Sequence, residues 1–457
     1  AGILEAVRTL KAAEPDAFVL VSFAVLPDGY TREGLYCKDL VRRMSESGCV
    51  DAVGLNCVSA PGAMCTLARS LSSTLPLSVM PNAGYPVVTR TQVRYQGKPE
   101  YFAQELSGLA ADGVVRILGG CCGTTPAHIA ALRAALDALP ETVAPARTKE
   151  FSTPETKPVE NEDAFLRKLN AGEKVIAIEL DSPRNADLTA YLEGARKLQA
   201  AGADLLTIAD CPIAQARMDS SLVACRVHRE LGMCTLPHMT CRDRNLNATK
   251  ALLLGLYAEG VREVLAITGD PIPTAERDEV KNVYQFNSRK LAQYIVSLAG
   301  EGREMPSAMT VFGALNLNAR NFEVELRRAG EKLEHGMSGF LTQPVLSGQA
   351  VENLRHAREV LGSRARILAG IMPVVSQRNA IFMENEINGI HVEEDIIRQF
   401  AGLDRAQGEE LGLAISLTMA REALPYADGF YLMTPFNRVA LMERLIARLR
   451  TEVLQES

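Results

Sequence analysis

Three cysteines in the first third of the chain are spaced as metal ligands. Cys57 closes the run Gly54-Leu-Asn-Cys57, and Cys121 and Cys122 sit in Gly119-Gly-Cys-Cys-Gly-Thr-Thr-Pro126. Adjacent cysteines cannot easily bridge to each other. Both can ligate one tetrahedral ion if the backbone turns sharply, which Gly119, Gly120 and Gly123 permit. Three thiolates suit Zn2+ and leave a fourth position open to a substrate thiol. The plainer reading is buried free thiols around a glycine-rich turn; the spacing favours the metal. Cys37, Cys49 and Cys65 read as small apolar core or surface residues.

A second set of polar residues closes short apolar runs further along. Glu179 ends Val175-Ile-Ala-Ile-Glu, and Thr207 ends the next run. His238, Thr240 and Asp243 lie in Pro237-His-Met-Thr-Cys-Arg-Asp-Arg-Asn245, and Asp270 in Ala266-Ile-Thr-Gly-Asp-Pro271. Asn316 and Asn318 follow in Gly313-Ala-Leu-Asn-Leu-Asn, and Gln343 in Phe340-Leu-Thr-Gln-Pro344. An unpaired carboxylate is expensive to bury, so Glu179 reads as functional. Burial should raise its pKa, which suits a general acid near neutrality. Taken singly, Asp270 fits a turn residue, His238 a satisfied core histidine and Gln343 a strand-end cap. Taken together they argue for an enzyme, provided one scaffold brings them to one face.

The elements that would do so are strands alternating with helices. Strands are expected at Val175–Leu180, Asp204–Ile208, Thr235–Thr240, Glu263–Thr268, Ala308–Gly313, Gly339–Gln343, Arg366–Ile371 and Gly429–Met433. They are short apolar runs, as strands buried on both faces should be. Amphipathic stretches such as Leu188–Ala201, Leu246–Glu259, Phe322–His335 and Val351–Leu361 separate them, with Gly202, Gly260, Gly336 and Gly362 as stop signals. Eight such units describe a (β/α)8 TIM barrel, with a doubly wound open sheet as the alternative. In a barrel the active site lies at the C-terminal ends of the strands, where the polar residues above fall. The first part shows only four strands, Phe18–Val25, Asp51–Asn56, Leu77–Met80 and Val115–Gly119. Four βα units make a partial (half) (β/α)8 barrel. Residues 140–165, PETVAPARTKEFSTPETKPVENEDAF, are polar and aperiodic and read as a linker. The expected division is 1–140, linker 141–165, and 166–457.

Composition narrows the classes. The chain has 457 residues, 47% hydrophobic and 23% charged, so it is not a disordered polymer. A net charge of −6 argues against nucleic-acid or anionic-membrane binding. No apolar run reaches the roughly 18 residues of a membrane span, and no secretory signal is visible. Ten cysteines, clustered in residues 37–122 and 211–241, fit reduced thiols in a cytoplasmic protein. There is no Trp, so a flat ring would stack on Tyr, Phe, Leu or backbone.

Residues 174–450 closely resemble methylenetetrahydrofolate reductase, a flavin-containing (β/α)8 barrel. The resemblance rests on Glu179, Pro237-His-Met-Thr-Cys241, Ile267-Thr-Gly-Asp270, the helix end Lys332 to Gly336, Leu341-Thr-Gln343 and Gly370-Ile-Met-Pro373. It implies FAD-dependent reduction of 5,10-methylenetetrahydrofolate to 5-methyltetrahydrofolate, with NADH or NADPH as reductant. Glu179 would protonate the folate nitrogen that leaves the one-carbon bridge. Asp270 would tune the flavin and bind the pterin, and Gln343 would hydrogen-bond the folate. Thr207, His238, Thr268, Gly269 and Asp270 would contact FAD, and Lys332 its phosphates. The loop after the fifth strand lacks the Tyr and His of some family members; Asn316 and Asn318 would replace their hydrogen bonds. No GxGxxG fingerprint follows a strand, so a Rossmann fold is not expected.

The first segment resembles the C-terminal half of the zinc-dependent homocysteine S-methyltransferases. The carrying residues are Gly54-Leu-Asn-Cys57, Pro81-Asn-Ala-Gly84 and Gly119 to Ile129. Zinc on Cys57, Cys121 and Cys122 would lower the pKa of the homocysteine thiol for attack on a methyl group. Together the resemblances imply a reductase fused to a methyltransferase segment serving methionine synthesis. The alternatives are a non-catalytic flavin- or folate-binding assembly partner, or a protein that is mainly a methyltransferase. Homo-oligomers are expected. The strands that open the methyltransferase barrel have no counterpart, so roughly four βα units are expected before Ala1.

Overall fold

The computed structural model describes residues 2–88, 93–95, 97–140, 162–271, 281–300, 303–387 and 389–455. The chain divides into two compact units, Ala1–Thr156 and Lys157–Ser457. Most of the expected linker, 141–161, lies outside the described residues. Its last residues do not belong to a linker: Asp163 accepts from Leu166 N and starts a helix, Ala164–Asn170.

The first unit is a parallel sheet flanked by helices. Strands β1 (Leu20–Ala24), β2 (Ala52–Asn56), β3 (Leu77–Met80) and β6 (Ile117–Leu118) pair in the order β1-β2-β3-β6. Between β3 and β6 lies a short antiparallel hairpin, β4 (Pro86–Val88) and β5 (Val93–Tyr95), which the sequence pattern does not announce. Leu55, Val53 and Ala52 are fully buried, as expected of a strand covered on both faces. Cys37 and Cys65 are buried, and burial pushes both thiols up to about 11.

The second unit is a closed eight-stranded barrel, all parallel. Its strands are β7 (Val175–Glu179), β8 (Leu205–Ile208), β9 (Cys234–Thr240), β10 (Glu263–Ile267), β11 (Thr310–Leu315), β12 (Gly339–Pro344), β13 (Arg366–Ile371) and β14 (Gly429–Met433). β14 pairs back onto β7, with Tyr431 opposite Ala177 and Met433 opposite Glu179, and so closes the ring. The barrel is a packed core. Val175, Ala177, Leu205, Cys234, Leu236, Leu265, Phe312, Leu341, Leu368 and Tyr431 form one buried cluster, with Ile267 and Met433 packed on it. Each is two residues from the next inward position on its strand, as the period of a β-strand requires. Phe165, Leu166 and Leu169 of the Ala164–Asn170 helix join this cluster from the N-terminal end and plug the barrel floor. Burying each such side chain contributes about 2 kcal/mol.

The same alternation fixes the mouth. Continuing from Ala177 and Leu236, the next inward positions are Glu179 and His238, whereas β12 shifts register between Leu341 and Pro344, so the alternation breaks at Gln343. The helices that follow start from side-chain caps at this end: Asn245 accepts from Ala248 N, Asn321 from Val324 N and Ser347 from Ala350 N. The expected stops at Gly260 and Gly336 adopt φ of +88° and +95°.

The fifth strand differs from expectation. It runs Thr310–Leu315, two residues later than Ala308–Gly313. Gly313 is not a terminator: a side chain there would meet the Met337 sulfur at 2.4 Å, so glycine leaves room for packing. Ala314 and Leu315 continue the ladder against Leu341 and Thr342.

Candidate functional site

Glu179 ends β7 at the barrel mouth. The Tyr431 hydroxyl donates to its carboxylate, and His238 Nε2 lies 3.6 Å from Glu179 Oε2. About a fifth (21%) of the Glu179 side chain stays open to the mouth. Burial, then the nearby Asp181 charge, pushes the carboxyl up to about 7; the Tyr431 hydrogen bond opposes this. Burial pushes His238 down to about 4, so the imidazole is neutral and the contact is not an ion pair. His238 Nε2 is buried without a hydrogen-bond partner among the described residues. A buried polar atom left without a partner is uncommon and open to a further hydrogen bond.

Asp270 follows β10 on an exposed turn with Thr268 and Gly269. Its carboxylate accepts from Ile213 N at 2.7 Å. Gly269 has φ +92°, and a Cβ there would meet Thr240 at 3.0 Å. Thr207 is fully buried in the barrel interior beside Tyr431. Thr240 binds the buried Asp210 carboxylate through its amide (3.0 Å) and hydroxyl (2.9 Å). Asp243 is held in a fork by Arg242.

The loop after β11 is largely self-satisfied. Asn316 Oδ1 accepts from Asn318 N at 2.9 Å, and Asn318 Nδ2 donates to Gly389 O at 3.0 Å. Lys332 is turned between the outer helix and β11. Its ammonium donates to Ala314 O at 2.6 Å and lies 3.9 Å from Glu325. Burial lowers its pKa, opposed by Glu325. Geometry therefore brings Glu179 and His238 together, puts Asp270 just past β10 and Gln343 at the irregular end of β12, and turns the Lys332 ammonium toward Ala314 O and Glu325. Tyr431 escaped the sequence reading. Its signal was parity, because Tyr431 shares a face with Met433, the residue paired with Glu179. The donor set fits a flavin and its substrates: a protonatable carboxyl, a neutral imidazole with a free nitrogen, a carboxamide, and a glycine turn that admits close backbone approach.

In the first unit Cys57 follows β2, and Cys121 and Cys122 follow β6. Their sulfurs all lie within 4.8 Å of one another. Cys57 and Cys122 are 3.5 Å apart, and Cys121 and Cys122 are 4.0 Å apart. Four sulfurs at about 2.3 Å around a tetrahedral zinc stand about 3.8 Å apart, so the cluster has the dimensions of a metal site. Cys57 and Val58 hold φ of +56° and +62°, a conformation that costs non-glycine residues about 1–3 kcal/mol each. The turn is locked by the chain after β3. Asn82, buried, accepts from Cys122 N at 3.2 Å; Ala83 N donates to Cys122 O at 2.9 Å, and Cys121 N to Pro81 O at 2.8 Å. Gly123 has φ +78°, and a side chain there would strike Tyr95 of the hairpin at 2.3 Å. Thr125 and His128 form a capping box that opens the following helix. Among the described residues this is the one cluster of three or more metal-ligating side chains close enough to share an ion.

A closed (β/α)8 unit with acid–base groups at its mouth, and a parallel-sheet unit bearing a thiol triad, define a two-part α/β protein. Comparison with known proteins gives the family. The profile for "Methylenetetrahydrofolate reductase" matches residues 164–449, and the chain belongs to that family. The profile for "Homocysteine S-methyltransferase" matches residues 3–136, so the chain joins the two. Methionine synthase of Mycobacterium tuberculosis is 45% identical over 89 residues, covering 19% of this chain and 8% of its own. Homocysteine S-methyltransferase of Escherichia coli K12 is 34% identical over 134 residues, covering 29% of this chain and 43% of its own. The chain thus spans less than half the length of these curated relatives. A solved Clostridium thermocellum protein, described as uncharacterized and binding two copies of 5-methyl-5,6,7,8-tetrahydrofolic acid, superposes with a TM-score of 0.46. It is 13% identical, over 62% of this chain and 98% of its own. Among the described residues no helix is long and apolar enough to cross a membrane.

Proposed function

We propose that the barrel reduces 5,10-methylenetetrahydrofolate to 5-methyltetrahydrofolate with NADH or NADPH, and that the first unit carries the zinc half of a homocysteine methyltransferase. The observation that carries the reductase reading is Glu179, a carboxyl held near pH 7 at the mouth of a family-matched barrel. Bound FAD would supply hydride acceptance from the nicotinamide and hydride donation to the folate. Thr207, His238, Thr268, Gly269, Asp270, Asn316, Asn318 and Lys332 are the residues proposed to hold it.

The rest is work for the protein's own side chains. Glu179 holds a proton that Tyr431 and neutral His238 do not take. It delivers that proton to the folate nitrogen leaving the one-carbon bridge, which opens the bridge to an iminium ready for hydride. A protonated carboxyl with a pKa near the working pH is suited to this step. Gln343 orients the folate through its carboxamide, and Asp270 accepts from the pterin. The apolar layer beneath, Ala177, Leu236 and Leu341, keeps water from below.

At the thiol triad, Zn2+ would supply Lewis acidity toward a substrate thiol. Cys57, Cys121 and Cys122 would bind it, leaving one position for homocysteine. The ten unpaired cysteines support a cytoplasmic setting. Homo-oligomers and the absence of nucleic-acid or membrane partners belong to the same proposal.

The test is spectroscopic and kinetic. The purified protein should bind FAD, with flavin absorbance, and oxidise NADH or NADPH when methylenetetrahydrofolate is supplied. Absence of flavin binding, or nicotinamide oxidation that forms no methyltetrahydrofolate, would overturn the reading. The second reading, mainly a methyltransferase, is favoured by the triad geometry. It predicts zinc near one per chain and homocysteine-dependent methionine formation without need of the flavin.

A further inference from the structure

We infer that Arg242 is a positioning residue for the reductase site, holding Asp270 in place by its main chain and locking the strained loop that Asp270 braces. Arg242 lies two residues beyond β9, and its side chain is 2% exposed. Its Nη1 donates to Asp270 O at 3.1 Å, and its Nη2 to Cys211 O at 3.4 Å. Nε and Nη2 also fork onto the Asp243 carboxylate at 2.9 and 2.7 Å. One buried cation therefore ties the end of β8 to the end of β10. Asp270 closes the ring from the other side, because its carboxylate accepts from Ile213 N at 2.7 Å.

The loop inside this ring is strained. Cys211, Ile213 and Ala214 have φ of +48°, +51° and +58°. Such residues persist only where the surroundings over-determine them. Here the constraints are the Arg242 bond to Cys211 and the Asp270 bond to Ile213. Only a guanidinium can reach a carboxylate and two carbonyls in different directions at once; an ammonium on the same stem cannot. Arg244 cannot take over, since its guanidinium is already bonded to Asp210 (2.6 Å) and Asp219 (2.7 Å). Arg242 need touch neither flavin nor folate. Its effect on chemistry would pass through Asp270, and that makes it separable from a general stabilising role.

The experiment is a double-mutant cycle in the FAD-loaded full chain, with Arg242→Gln, Asp270→Asn and the double variant. It reads flavin midpoint potential, kcat for folate reduction and KM for the nicotinamide. Arg242→Gln should lower kcat about tenfold or more with nicotinamide KM within about threefold. It should shift the potential in the same direction as Asp270→Asn. The double variant should be no worse than Asp270→Asn alone, because the path runs through one group. Losses that multiply, or an Arg242→Gln protein with unchanged kcat and potential, overturn the inference. If Arg242→Gln does not fold, Asp243→Asn carries the test. It frees one prong of the fork and should give a smaller loss that also vanishes in the Asp270→Asn background; persistence of that loss there overturns the inference too. The inference rests on the reductase reading. Wild-type protein without folate-dependent turnover would refute that reading, whereas active wild type with multiplicative losses refutes only the role of Arg242.

Discussion

Replacing Glu179 by Gln should make the barrel more stable above neutral pH while abolishing folate reduction. The folded protein holds this carboxyl at about 7, against 4.5 for the free group. A carboxyl whose folded pKa is raised binds its proton more tightly in the folded state, so the stability it contributes is full below about pH 4.5, falls as pH rises to about 7 and is absent above that. At 1.36 kcal/mol per pH unit, the gap amounts to about 3 kcal/mol. Gln carries no charge to bury and can still accept from Tyr431, so the variant escapes this loss. Urea unfolding followed by circular dichroism should show wild type and variant nearly equal at about pH 4, and the variant more stable by up to about 3 kcal/mol at about pH 8. The same variant should accept electrons from NADH or NADPH into its flavin yet form no methyltetrahydrofolate. Two results would refute the reasoning. One is a stability difference that does not depend on pH, which would mean that the carboxyl is not destabilised by its site. The other is normal folate turnover in the variant, which would remove Glu179 as the acid.

Two further outcomes follow from the thiol triad and from a carboxyl at the barrel floor. Cys122→Ser should lower zinc per chain well below that of wild type after dialysis, measured by atomic absorption, because one of three thiolates is gone; undiminished zinc would mean that the triad does not hold the ion. Glu263 lies fully buried at the floor of the barrel, and burial, then the neighbouring Asp163 charge, raises its pKa well above the usual range. The wild type should therefore lose more stability with rising pH above about 4.5 than Glu263→Gln does; thermal melts at about pH 6 and about pH 9 that move in parallel for both proteins would contradict this.

The architecture was legible because strands buried on both faces leave an unmistakable pattern, short apolar runs spaced by amphipathic stretches that end in glycine. The place of Glu179 at the barrel mouth was legible because its polar side chain interrupts such a run. The site was not legible where the polar group looks at home. Tyr431 sits in an aromatic strand and reads as core; only its pairing with the strand of Glu179 shows where its hydroxyl goes. Arg242 stands among charges in Cys241-Arg-Asp-Arg-Asn245 and reads as a solvated loop, yet its bonds run to residues 28 and 31 positions away. Gly313, where the expected fifth strand ends, does not end it. It instead makes room for Met337, a packing reason that no local pattern carries.

The pairing of Glu179 with His238 has a logic that neither residue shows alone. An imidazolium 3.6 Å from the carboxylate would attract it and pull the Glu179 pKa down, leaving no proton to give at neutral pH. Burial prevents this by acting on both groups in the direction of neutrality: it lowers His238 to about 4 and raises Glu179 to about 7. Between those two values the pair is a protonated acid beside a neutral base, and neither group charges the other. A rise in the polarity of the barrel mouth would move both pKa values toward each other and create an ion pair, at the cost of the acid. The apolar layer beneath Glu179 is therefore part of the acid's chemistry as well as of the fold, because the proton stays on the carboxyl only while the surroundings stay dry.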